Sequence, residues 1–299
     1  MSRRFKSGTV ALLGRPNVGK STLMNTIIGA KAAIVTPKPQ TTRQQIIGIY
    51  TDERCQIVFT DTPGIHKAQN RMNRNMVRQA YAAAAEADVL AIMQDASHSL
   101  DSGTRRLIEH FISHDKPRIH ILNKVDQVKK PDLLPRLETI ARLDADALAY
   151  IPLSAMRGTQ IQLLLETLFT CMPEGDPQYD PDWYTDQSQK QLASEYVREQ
   201  IFLAMQEEVP FQTAVEIESF REVSGARAGL EIGAVIIVSS ERHKPMLIGQ
   251  GGSTIKKIGS KARFGLQSLF DCRVHLDLWV KAQANWFENT GRLRDLGLG

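Results

Sequence analysis

No run in this 299-residue chain approaches the ~18 consecutive apolar residues that a membrane span requires. Cysteine is scarce. Cys55, Cys171 and Cys272 are the only three, and they lie far apart without metal-ligand spacing. That excludes a disulfide scaffold and a cysteine-based metal site, and it fits a reducing compartment. The opening stretch Met1–Lys6 is basic, but no apolar stretch follows it, so no secretory signal is expected. An excess of one charge is also missing. The chain has 37 Lys and Arg against 33 Asp and Glu, a net +4, so any contact with a polyanion must come from local clustering. There is no internal repeat and no low-complexity tract. The hydrophobic content of 42% and charged content of 23% are those of an ordinary globular protein, and the length favours two domains.

The run Gly14-Arg15-Pro16-Asn17-Val18-Gly19-Lys20-Ser21 fits G-x-x-x-x-G-K-[ST]. An apolar stretch at 9–13 precedes it as a buried strand, and 22–28 follows with apolar spacing that suits a helix. Glycines let backbone N–H groups wrap phosphate oxygens, and the helix start adds positive potential. Lys20 can then reach the β- and γ-phosphates, and the Ser21 hydroxyl can ligate Mg²⁺.

Asn123-Lys124-Val125-Asp126 follows the strand-like Ile119-His120-Ile121-Leu122, at the strand end where open α/β sheets bind ligands. An ionised carboxylate only accepts hydrogen bonds. Guanine offers two adjacent donors and adenine does not, so Asp126 selects a guanine nucleotide. Asn123 would tie this loop to the phosphate loop, and Lys124 would lie along the base. Ser154-Ala155, after the strand-like 149–153, offers a third base contact through the Ala155 N–H.

Between them come the γ-phosphate sensors. Asp61-Thr62-Pro63-Gly64 follows the strand-like 56–60. Asp61 would hold Mg²⁺ through water, and the Gly64 N–H would sense the γ-phosphate. Upstream, Pro39-Gln40-Thr41-Thr42-Arg43 is a polar loop in which one threonine would close on Mg²⁺, Thr42 in preference to Thr41.

Strand-like runs near 9–13, 46–50, 56–60, 89–94, 118–122 and 149–153 alternate with helical stretches. The expected fold is α/β, a mostly parallel, doubly wound sheet over 1–172. Residues 173–186 are Pro-rich and aperiodic and read as a linker. Residues 187–299 form a smaller α+β domain: a helix near 187–207, strands at 213–222 and 230–240, and a last strand at 273–280. In the first of these strands Val215 and Ile217 should be covered and Glu216 and Glu218 exposed. Gly249-Gln250-Gly251-Gly252 joins two apolar segments that would pack as paired short helices, and it fits the G-x-x-G loop that clamps about four nucleotides of single-stranded nucleic acid. Residues 188–299 are nearly neutral, yet 242–263 carries Arg242, Lys244, Lys256, Lys257, Lys261 and Arg263 with no acidic residue. The expected RNA contacts are Gly249, Gln250, Gly251, Gly252, Lys256, Lys257, Lys261 and Arg263.

These motifs, in this order, resemble the translation-factor and Ras-related GTPases. The pattern G-R-P-N-V-G-K-S, Q-T-T-R and D-T-P-G-I is similar to the bacterial Era branch, and a GTPase domain followed by a type II KH domain is that family's arrangement. The resemblance covers nearly the whole chain, including Leu276–Lys281. It implies GTP hydrolysis with Mg²⁺, binding of the single-stranded 3′ end of 16S rRNA, and a role in small-subunit assembly. It also implies a cytoplasmic protein, with peripheral association with the membrane's inner face in some relatives. No stable protein partner is implied.

Two departures are visible. Ras-type enzymes carry a Gln after the D-x-x-G motif, and this chain has Ile65, so slow intrinsic turnover is expected. Relatives usually have a Lys inside G-x-x-G, where this chain has Gln250 and Gly251. Asn17 matches the position that ligates K⁺ in relatives lacking the Gln; packing of the phosphate loop is the other reading. His66 reads as a solvated switch residue. The functional alternatives are a KH-type regulator of other RNAs and a nucleotide-gated protein–protein switch.

Overall fold

The computed structural model describes residues 4–66, 68–225 and 228–299; Lys67, Ala226, Arg227 and the basic Met1–Arg3 lie outside it. The chain divides into two compact units. One holds the chain up to Ala33 with Thr42–Gln69 and Asn73–Asp186; the other holds Ile34–Thr41, Asn70–Met72 and Gln187–Gly299. Among the described residues no helix is long and apolar enough to cross a membrane.

The first unit runs β1 (Lys6–Gly14), α1 (Lys20–Ile28), β2 (Ile46–Thr51), β3 (Cys55–Asp61), α2 (Arg71–Glu86), β4 (Val89–Asp95), α3 (Ser102–Ile112), β5 (Arg118–Asn123), α4 (Lys130–Leu143), β6 (Ala149–Pro152) and α5 (Ile161–Cys171). The sheet order is β2-β3-β1-β4-β5-β6, with only the edge strand β2 antiparallel. Both faces are covered. Val10 and Leu12 of β1 pack with Leu23, Met24, Leu164 and Leu168, whereas Ala11 and Leu13 pack with Ala80, Ala84, Leu107 and Phe111. This two-sided burial is why β1 reads as a continuous apolar run instead of an alternating one. The alanines of α2 serve close packing, with Ala80 and Ala84 fully buried.

Register places the motifs together. Leu12 pairs with Asp61, Gly14 with Met93, Asp95 with Asn123 and Leu122 with Pro152. Each motif therefore begins where its strand ends, on one edge of the sheet, which is where such sheets bind ligands.

The Pro-rich stretch is not free chain. Ser7 donates its N–H to Pro173 O, and the Gln56 amide bonds the backbone at Gln178 and Tyr179. Further on, Ile49 N–H reaches Tyr184 O and Thr185 Oγ1 reaches Ile47 O. The stretch is thus tied to β1 and β3 at its start and to the open edge of β2 at Tyr184 and Thr185, which satisfies part of an edge that could pair with another chain.

The second unit contains α6 (Gln189–Ala204), β7 (Thr213–Val223), β8 (Gly229–Val238), α7 (His243–Ile248), α8 (Ser253–Phe270), β9 (Val274–Ala282) and α9 (Thr290–Asp295). α6 opens with a capping box between Ser188 and Gln191. β8 is central, antiparallel to β7 and parallel to β9, so α7 and α8 form the crossover that a parallel pair requires. α6 and α8 cover one face, where Val197, Ile201, Ile236, Ile258 and Ala262 meet.

Two expectations are corrected here. The segments flanking the G-x-x-G loop are not a matched short pair: α7 has six residues and α8 has eighteen. Glu216 is not on open surface either. The C-terminal segment folds over that end of the sheet, with Leu293 and Trp286 fully buried, Trp286 Nε1 donating to Gln212 O, and Arg292 pairing with Glu216. The alternation in β7 is readable from the sequence; the distant segment that covers its polar side is not.

Candidate functional site

The phosphate loop bends from β1 into α1. Gly19 has φ +99°, and a Cβ there would lie 2.3 Å from Asn123 Nδ2, so both conformation and space demand glycine. Asn123 donates from Nδ2 to Val18 O at 2.8 Å, which joins the N-K-x-D turn to the phosphate loop. Asn17 takes a left-handed conformation at φ 64° and is exposed. Lys20 is buried and donates to Gly14 O (3.4 Å) and Arg15 O (3.2 Å). Burial lowers its pKa to about 8, against the opposing pull of Asp61. The cation is thus held in a low-dielectric loop by carbonyls alone, a poised site for an anion.

Three oxygens converge beside it. Ser21 Oγ lies 2.9 Å from Thr42 Oγ1 and 2.5 Å from Asp61 Oδ2, and Thr42 Oγ1 lies 3.3 Å from that carboxylate oxygen. The second oxygen, Asp61 Oδ1, is buried without a hydrogen-bond partner. Burial raises the Asp61 pKa, opposed by Lys20, Ser21 and Thr42. A buried carboxylate with an unused oxygen and two hydroxyls fits a small hard cation with oxygen ligands. Thr41 faces elsewhere. Its hydroxyl bonds Lys38 O (2.8 Å) and Thr36 Oγ1 (2.7 Å).

The D-x-x-G turn is anchored at Ile65, whose N–H donates to Gly14 O at 3.0 Å. A Cβ on Gly64 would meet Pro16 Cα at 2.7 Å, so this backbone runs against the phosphate loop. The Ile65 side chain is buried with Ala11, Leu13, Ala80 and Leu107, not aimed at a nucleotide. His66 Nδ1 is bonded to Gly64 O at 2.7 Å. Replacing Ile65 by Gln is therefore expected to bury an amide without supplying a water-positioning group. A loss of about 1–3 kcal/mol should appear as a lower Tm, with no gain in turnover. Faster hydrolysis at unchanged Tm would overturn this reading.

At the other end of the site, Asp126 Oδ1 accepts from Ser154 Oγ at 2.6 Å, and this bond, with Arg157 nearby, lowers its pKa. The carboxylate is thereby fixed, ionised and acceptor-only. Asn123 Oδ1 accepts from the Ala155 N–H at 2.9 Å. The N–H that the sequence offers as a third base contact is already engaged and would reach a base only by sharing that bond. Lys124 Nζ is held by Asp95 Oδ2 at 2.6 Å, while Asp95 Oδ1 caps Ser97. Sequence reasoning misses Asp95. The signal that could have found it is a carboxylate at the end of β4, in register with Asn123.

In the second unit, Gly249 needs its glycine: φ is +75°, and a Cβ would lie 2.3 Å from Thr254 Oγ1. Gly251 and Gly252 share the left-handed conformation, at φ +58° and +77°, but differ in space. Nothing lies within 4 Å of where a side chain would begin. Gln250, Lys256, Lys257, Lys261 and Arg263 are all exposed.

Comparison with known proteins agrees with this architecture. Residues 9–124 match a family described as 50S ribosome-binding GTPase, and residues 208–287 match the KH domain. The chain is 40% identical to GTPase Era of Halothermothrix orenii over 293 residues, 98% of each protein. It is 41% identical to GTPase Era of Syntrophus aciditrophicus over 98% of this chain and 95% of that one. Two crystal structures, each 35% identical, superpose with a TM-score of 0.94. One is an alanine-substituted Era of Aquifex aeolicus bound to GDP·AlF4⁻, covering 99% of this chain and 100% of that one. The other is Era with MgGDPNP and nucleotides 1506–1542 of 16S ribosomal RNA, covering 99% of both. With a P-loop GTPase unit, a KH unit and full-length relatives of this similarity, the chain belongs to the Era family of GTPases.

Proposed function

We propose that this GTPase uses its nucleotide state to gate a single-stranded RNA clamp, that the RNA is the 3′ end of 16S rRNA, and that the protein acts in assembly of the small ribosomal subunit. The observation that carries the RNA half is the pair Gly251 and Gly252. They present bare backbone at the head of a helix whose exposed cations have no acidic neighbour between Arg242 and Phe270. Such a loop lets the sugar-phosphate chain approach the main chain, while lysines neutralise phosphates. The Era complex with a 16S fragment supports the choice of RNA. The large-subunit wording attaches to a family match that covers only residues 9–124 and so speaks for the nucleotide unit alone.

In the nucleotide half, the backbone of Gly14–Ser21 and the Lys20 ammonium would hold the β- and γ-phosphates. Asp126 would read the guanine edge with Lys124 along the base. Ser21, Thr42 and Asp61 would hold Mg²⁺, which supplies charge neutralisation at the phosphates when bound. Thr42 and the Gly64 N–H would report the γ-phosphate, because segments ordered by the γ-phosphate and Mg²⁺ are released on hydrolysis. Asn17 would hold K⁺ beside the phosphates and so supply positive charge there in a site that lacks the water-orienting Gln. With Ile65 packed in the core, turnover by the chain alone is slow, which suits a timer.

The double charge reversal Lys256→Glu/Lys257→Glu tests the clamp. It should weaken binding of a labelled 3′-terminal 16S oligonucleotide by at least about tenfold. It should also flatten the salt dependence, by ~0.7 in log–log slope for each phosphate no longer neutralised, with GTPase activity unchanged. Unaltered affinity and slope would favour a protein–protein switch.

A further inference from the structure

On α8, Ile258, Ala262 and Leu266 fill the buried side at positions four apart. At 3.6 residues per turn the opposite side is centred between Ser260 and Phe264, with Lys257 beside them and Lys261 towards its edge. Phe264 is 75% exposed, more than any other aromatic among the exposed large apolar residues. It therefore does nothing for the core. Its neighbours one turn away in each direction, Ser260 and Ser268, are too short to cover the ring. Lys257 and Lys261 stand on the same face, towards the Gly loop, and a helical side chain leans in that direction. No acidic residue occurs between Glu241 and Asp271. A large aromatic ring on a helix face whose charges are all positive is an unfavourable thing to leave in water. It is also the composition that single-stranded nucleic-acid surfaces use, with cations for the backbone and a ring on which a base stacks.

We propose that Phe264 is a base-stacking platform that extends the RNA site along α8 beyond the G-x-x-G clamp. Phe264 lies twelve residues past Gly252, about 18 Å along the helix axis, so nucleotides beyond the roughly four held at the loop would reach it. The ligand class is an unpaired RNA base, accepted with little sequence preference because every base has a π-face, while Lys257 and Lys261 hold the flanking phosphates. This rests on reading the C-terminal unit as an RNA clamp.

The test uses the full chain loaded with a non-hydrolysable GTP analogue, and two labelled single-stranded RNAs of four and twelve nucleotides from the 3′ end of 16S rRNA. Phe264→Ala should weaken the twelve-nucleotide RNA roughly tenfold and leave the four-nucleotide RNA unchanged. Phe264→Trp should restore the longer ligand. A 2-aminopurine placed in the longer RNA should lose its quenching in the Ala variant. If Phe264→Ala binds both RNAs as the wild type does while Lys256→Glu/Lys257→Glu binds neither well, the platform is wrong, the clamp stands, and the ring is left for a protein partner. If the wild type itself binds neither RNA, both readings fall together.

Discussion

Lys20→Met should lower GTP turnover by at least about 10²–10³-fold, because it removes the phosphate-loop ammonium placed to stabilise charge on the transferring phosphate. The same change should leave the nucleotide-free protein no less stable, or make it more so. Lys20 is buried, its ammonium is held by two carbonyls, and burial has brought its pKa from 10.5 to about 8. At neutral pH the buried charge costs about 3 kcal/mol, since each tenfold change in proton affinity is worth about 1.4 kcal/mol. Methionine keeps the methylenes and drops the charge. The sign is checkable by pH. Between about 8 and 10.5 the folded chain has shed a proton that the unfolded chain still holds, so wild-type stability should rise with pH relative to the Met variant, and be level below about 8. GTP binding should weaken over the same rise, since phosphate requires the charged form. Thermal melts of both proteins across that range check the first part, and single-turnover hydrolysis the second. A Met variant that melts lower and still turns over would contradict the account.

The second large effect is at the base. Asp126→Asn replaces an acceptor-only group by one donor and one acceptor, leaving one guanine donor unmatched. GDP affinity should fall on the order of 10³-fold or more, the scale at which a site built to pair a polar group rejects its mismatch. A base bearing a carbonyl in place of the exocyclic amine, as in xanthine, should bind the variant better than guanine does. Equal GDP affinity for wild type and variant would remove Asp126 from base recognition. The Ser154 hydroxyl, which fixes the carboxylate at 2.6 Å, should matter less, because its loss leaves the acceptor in place.

The phosphate loop and the N-K-x-D turn can be read from the sequence because each is local. A strand, a turn with demanding backbone and a helix follow one another within about two dozen residues, and the strand ends share one edge of the sheet. The G-x-x-G loop is readable for the same reason. What stays hidden depends on partners far away in the chain. Asp95 matters because β4 and β5 are neighbours, which brings it to Lys124. His120 sits in an apolar-looking strand, yet it is buried and bonded to Asp144 on one nitrogen and Gln94 on the other, and Asp144 also accepts from Nε and Nη2 of Arg118. Ile65 reads as a missing glutamine in the sequence. In the structure it is a core residue packed with Ala11, Leu13, Ala80 and Leu107, a surrounding that depends on chain far from it in sequence. Glu216 reads as exposed until Arg292, seventy-six residues on, is folded across it.

The central claim is that the guanine-nucleotide site gates the RNA clamp. The most direct measurement is the affinity of the wild-type chain for a labelled 3′-terminal 16S oligonucleotide, taken with a non-hydrolysable GTP analogue and again with GDP. The account predicts tighter binding with the GTP analogue, lost when the oligonucleotide is scrambled. Equal affinity in both nucleotide states, or no binding in either, would contradict it.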